Sequence, residues 1–136
     1  MPVVQFHLED GSLDDEQAAD LLRRASRLYA DVLGSPVERV RAFVVPHRPQ
    51  WCAVGGEVLS EGGSGLAYFT AVVLTGRPAD QRERLLAGFT DLLVHVAGVP
   101  REKVRGRIEQ VRPEDWGIGG VPAAQARAGE IAARAR

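Results

Sequence analysis

One offset organises the whole chain. Leu21, Leu22, Ala25, Leu28, Tyr29, Val32 and Leu33 mark one face of a helix. The same spacing returns 64 positions later at Leu85, Leu86, Phe89, Leu92, Leu93, Val96 and Ala97. Gly34 and Gly98 follow at that offset, each placed to take the left-handed conformation that ends a helix, and Pro36 and Pro100 forbid its resumption. Val40 and Arg41 match Val104 and Arg105, and after a one-residue slip Trp51 matches Trp116. Helix face, cap, proline, arginine and tryptophan arrive twice in one order, so the fold is a duplicated unit.

Each unit reads as strand, helix, strand. In the first, "VVQFHL" is a strand, Ser12 in "SLDD" offers an N-cap with Asp15 three residues on, the helix runs to about Leu33, and "RVRAFVV" is the second strand. In the second, "YFTAVVL" leads to a helix from about Pro78 to Ala97, followed by "VRGRIEQV". A strand–helix–strand unit with so long a helix makes its strands parallel. Two units predict one α+β domain over residues 1–136, a four-stranded mixed sheet with both helices on one face. Repeat 1 spans about 2–59, a glycine-rich linker 60–65, repeat 2 about 66–122 and a tail, as short helix or frayed end, 123–136. Helices on one side leave the other sheet face bare, although "YFTAVVL" carries apolar residues in both alternations, so self-association is expected to bury it.

Charge and cysteine content narrow the function classes. Lys+Arg number 17 against Asp+Glu 18, a formal net charge of −1, which gives no global pull toward nucleic acid or an anionic membrane. Any anion site is therefore local. The single cysteine, Cys52, allows no internal disulfide and no zinc cluster, and reads as a buried small apolar residue. No run approaches a membrane span and no secretory signal is legible at the N-terminus, so a cytoplasmic protein is expected. His7, His47 and His95 show no ligand spacing, and His95 lies opposite its helix's apolar stripe, so no metal is expected. "GGEVLSEGGSG" lacks the lysine and the strand–helix context of a phosphate loop.

Pro2 stands directly behind the initiator. It suits the first residue of an edge strand, where a missing donor costs nothing. It also becomes a free secondary amine if Met1 is removed, and an α-amino group titrates at roughly 8. Arg77 follows a glycine at a strand end, directly before a helix, where a cation is unfavourable beside the dipole and a carboxylate partner would compensate. Arg105 and Arg107 alternate in a strand and share a face, with Arg41 as the repeat partner of Arg105. Trp116, in "DWGIGG", is an aromatic able to wall a pocket; Trp51, its copy, lines a decayed second site or simply packs. Asp115 beside it reads as an exposed loop carboxylate.

These residues resemble the tautomerase superfamily of 4-oxalocrotonate tautomerase, from Pro2 through about Pro122. The carriers are Pro2 itself, "LTGRPADQ", "VPREKVR" and "DWGIGG". The resemblance implies a tautomerase fold, the N-terminal proline as catalytic base or acid, arginines on a substrate carboxylate, a pocket-lining aromatic, no cofactor, and a homotrimer for a fused double-length chain. Each half departs from the pattern differently: Ser12 stands where the first half's arginine would, and Ala67 where the second proline would. One site per chain would then combine Pro2 with Arg77, with Arg105 and Trp116 as further substrate-binding residues.

The second half is also similar to the malonate semialdehyde decarboxylases and the cis-3-chloroacrylic acid dehalogenases. Leu74, Tyr29 and Arg107 replace an arginine, a histidine and a tyrosine of the dehalogenase pattern, Arg39 reverses the charge of the decarboxylase's aspartate, and Asp115 resembles in position a water-activating carboxylate. The expected activity is cofactor-independent isomerisation of a small unsaturated 2-oxo or 2-hydroxy carboxylate. Hydration, dehalogenation or decarboxylation of a three-carbon acid would instead need protonated Pro2. A chain that keeps Met1 has an amide at Pro2 and would serve as a binding scaffold.

Overall fold

The computed structural model describes residues 2–135. Four strands, β1 (Val3–Glu9), β2 (Arg41–His47), β5 (Ala67–Leu74) and β6 (Arg105–Val111), form one sheet in the order β2-β1-β5-β6. Within each repeat the strands are parallel, and the repeats meet through antiparallel β1 and β5. That meeting is what places the site: Val3, at the start of β1, lies opposite Val72, near the end of β5.

Helices α1 (Asp15–Leu33) and α2 (Ala79–Ala97) cover one face of the sheet. The N-cap of α1 is Asp14, where Ser12 was expected: Gln17 N–H donates to Asp14 Oδ1 at 2.7 Å and Asp14 N–H donates to Gln17 Oε1 at 3.0 Å. This reciprocal pair satisfies two orphan donors, which Ser12 and Asp15 do not. Gly34 (φ 64°) and Gly98 (φ 67°) end the helices in the left-handed region, as the repeat predicts.

Beneath the helices, Phe6, Tyr29, Phe69 and Phe89 are fully buried. The Phe89 ring sits 5.7 Å from Phe6, 5.2 Å from Tyr29 and 5.5 Å from Phe69, edge-on to each. Tyr29 occupies a structural position: its hydroxyl donates to the carbonyl of Val72 with the Val3 carbonyl 3.3 Å away, bridging β5 and β1, and burial pushes its phenol pKa well up. Gly106 of β6 stands across from Phe69, and a Cβ there would overlap the buried ring. Gly106→Ala is therefore expected to cost about 1–3 kcal/mol through overpacking, read as a lower urea midpoint at unchanged slope.

Strand starts differ slightly from the expected ones, because 3₁₀ turns at Val37–Arg39 and Arg101–Lys103 precede β2 and β6. The glycine pairs Gly55–Gly56 and Gly119–Gly120 close two small hairpins that periodicity did not reveal, β3 (Ala53–Val54) with β4 (Glu57–Val58) and β7 (Gly117–Ile118) with β8 (Val121–Pro122). The tail is helical, as α3 (Ala123–Ala126) and α4 (Ala128–Arg134). Cys52 is half-buried, not buried, since it lies in the arm beyond β2 and not in the core. No described helix is long and apolar enough to cross a membrane.

Candidate active site

Pro2 is fully buried at the entrance to β1, its carbonyl accepting from Arg41 N–H at 2.9 Å. It shares a cavity of about 20 Å³ with Arg77, Arg39, Val72 and, from the C-terminal helices, Arg127, Glu130 and Arg134. Antiparallel β1 and β5 bring this about: Arg77 lies three residues past the end of β5, the end next to Pro2. The Arg77 guanidinium donates from Nη1 to Leu33 O at 2.7 Å. That carbonyl belongs to the last residue of α1, where a helix dipole favours a cation, so the cost expected at the start of α2 is offset locally. Burial, then the charge of Arg134, lowers the Arg77 pKa, and Glu130 opposes them.

Arg39 grips Glu130 with two prongs, Nη1 to Oε2 at 2.9 Å and Nη2 to Oε1 at 3.0 Å. The bond holds the Glu130 carboxyl below the usual carboxylate range. Among the described residues, four arginines line the cavity with Pro2 against one carboxylate. In the sequence Arg39 stands out only as a reversed charge, and the tail is low in information. A signal was present, since Arg127, Glu130 and Arg134 are spaced to share one helix face.

Arg105 and Trp116 are placed elsewhere in the chain. Arg105 begins β6 opposite Tyr68, four residues along β5 from Val72, about 14 Å at a strand's ~3.4 Å per residue. Its Nη1 donates to Glu102 O at 2.8 Å and Val104 O at 3.1 Å, and it lines a separate cavity of about 400 Å³ with Tyr68, Lys103 and Gly65. Arg41 makes the equivalent bonds to Glu38 O and Val40 O, a direct trace of the duplication. Trp116 is half-buried and its carbonyl accepts from Ala123 N–H at 2.7 Å, whereas Trp51 is 78% exposed with the Arg48 guanidinium 4.9 Å over its ring. Asp115 is exposed and bonded to Arg112 at 2.9 Å.

The histidines are less scattered than the sequence suggests. Parallel pairing of β1 and β2 sets His7 Nδ1 2.7 Å from His47 Nε2, with Tyr68 packed on the His7 ring at 5.6 Å. Burial, then His47, lowers the His7 pKa. Among the described residues no group of three or more His, Cys, Asp or Glu could hold a metal ion.

The duplicated architecture and the proline cavity have counterparts among known proteins. The family model described as tautomerase enzyme matches residues 2–62 and 72–126, once in each repeat. A 2-hydroxymuconate tautomerase from Pseudomonas sp. (strain CF600) is 34% identical over 61 residues, 45% of this chain and 95% of that protein. A native fused 4-OT matches with a TM-score of 0.83 at 28% identity, covering 93% of this chain and 97% of the other. A fused 4-OT solved as an asymmetric trimer matches at 0.82 and 26% identity over the same shares, 93% and 97%. The chain therefore belongs to the tautomerase enzyme family, as a fused, double-length member of the 4-oxalocrotonate tautomerase superfamily with that superfamily's general tautomerase chemistry.

Proposed function

We propose that the chain is a cofactor-independent tautomerase whose base is the secondary amine of Pro2, freed by removal of Met1, which lies outside the described residues. The observation that carries this reading is the shared cavity of Pro2 and Arg77, one supplied by each repeat. The substrate is a small unsaturated 2-hydroxy carboxylate. Its enol proton passes to the prolyl nitrogen, the O–H electron pair forms the carbonyl, the conjugated double bonds shift, and the nitrogen returns the proton to the far carbon. Arg77 holds a carboxylate and stabilises charge developing on the dienolate. Burial in a cavity whose described lining carries more guanidinia than carboxylates disfavours a protonated amine, which supports a base over the acid that hydration, dehalogenation or decarboxylation would need.

The working site is proposed to form in a homotrimer, with Arg105 and Trp116 supplied by a neighbouring subunit. Two features support assembly. The sheet face away from the helices carries Phe43, 49% exposed, and the outer edges of β2 and β6 have no strand beside them among the described residues. The fused 4-OT similar to this chain is itself a trimer.

Intact mass should show the methionine removed, and the same sample should isomerise 2-hydroxymuconate. Arg77→Ala is expected to lower kcat/KM about ten- to a hundredfold, the loss of a hydrogen bond to a charged group, through both KM and kcat. Retained methionine with no turnover would sink the proline mechanism.

A further inference from the structure

The cavity around Pro2 is narrow. At about 20 Å³ it has room for about one water, whereas small-molecule sites run to roughly 300 Å³ and more. A six-carbon acid reaches the proline only if part of the wall moves. The least buried part of the wall is α4. None of its seven residues is buried, while the rest of the wall comes from the ends of β5 and α1 and the turns that follow them.

The chemistry of the α4 contact is informative. Arg39 holds Glu130 through the fork that guanidinium uses to grip a planar carboxylate, and it does so in the wall of the cavity that contains Pro2 and Arg77. The side chains of Arg39 and Glu130 are 26% and 47% exposed, so the tie is a partly hydrated pair of the kind that exchanges at low cost. Beside it, Arg127 Nε is buried without a hydrogen-bond partner, a donor available to an incoming anion.

We propose that Arg39 is a carboxylate-binding residue of the Pro2 site and that Glu130 is its resident occupant, a stopper on α4 that the carboxylate of an incoming small acid displaces. Opening exchanges one carboxylate for another on the same fork, so the charge at Arg39 is conserved while the cavity gains the volume that α4 gives up. The kinetic consequences rest on the Pro2 reading; the binding consequences do not.

The test compares wild type, Glu130→Gln and Arg39→Gln in two assays. One is turnover of 2-hydroxymuconate; the other is calorimetric binding of cis,cis-muconate, which has the carboxylates but no hydroxyl to isomerise. Glu130→Gln removes the competitor and is expected to lower KM and the muconate Kd about two- to fivefold, the scale of an exposed ion pair. Arg39→Gln frees α4 equally but removes the grip, and is expected to raise both about tenfold or more. Opposite signs from the two halves of one ion pair are the signature, because a tie that only stabilised the fold would move both variants the same way. Equal signs, no change in either variant, or no muconate binding by any of the three proteins would overturn the proposal. If muconate binding shows the opposite signs while wild type does not turn over 2-hydroxymuconate, the Pro2 reading fails and the role of Arg39 stands.

Discussion

Replacing Pro2 with alanine is expected to lower kcat for 2-hydroxymuconate isomerisation by about 10²–10⁴-fold, the usual contribution of a positioned general base. Alanine keeps an N-terminal amine but loses the ring that fixes it. The five-membered ring ties the nitrogen back to Cδ and is fully buried against the end of β5, so the amine is held in one orientation, whereas the primary amine of the alanine variant would rotate freely about N–Cα. The loss should fall on kcat with a smaller change in KM, because the carboxylate grip proposed for Arg77 remains. A variant with full activity would mean that the base lies elsewhere.

The largest stability effect is expected at the centre of the core. Phe89→Ala should cost about 3–5 kcal/mol, as measured for truncating large buried aromatics. Its ring touches Phe6 on β1, Phe69 on β5 and Tyr29 on α1, so one substitution opens a cavity where helix and strands from both repeats converge. Against a typical total of roughly 5–15 kcal/mol, that loss brings the protein close to unfolding at ambient temperature. Urea titration at matched protein concentration reads it, since assembly makes apparent stability depend on concentration. A midpoint shift as small as that of an exposed helix substitution would show that the repeats do not share one core.

What was legible in advance follows from what is local. The helix faces and their glycine stops were readable because an α-helix repeats every 3.6 residues and a left-handed terminal residue selects glycine. Less legible were features in which two local options compete. Ser12 and Asp14 both offer an N-cap, and only the reciprocal bond with Gln17 selects Asp14. The hairpins at Gly55–Gly56 and Gly119–Gly120 are carried by strands of two residues, too short to show a period. His7 and His47 stand 40 positions apart and meet only through strand register.

The sequence by itself determined the duplicated strand–helix–strand unit and the four-stranded mixed sheet, whereas the pairing of Pro2 with Arg77 was implied only by the family resemblance. Duplication made the unit visible, because helix face, glycine stop and proline recur at one offset. Tertiary structure alone decided which charges share the proline's cavity. The antiparallel meeting of β1 and β5 sets the start of one repeat beside the end of the other's first strand, so Arg77 joins Pro2 while Arg105 begins its strand at the far end. The path of the tail then adds Arg127, between α3 and α4, and Glu130 and Arg134 from α4, carrying Glu130 back across 91 positions to Arg39. No periodicity encodes such a contact, because it depends on where two distant segments end in space.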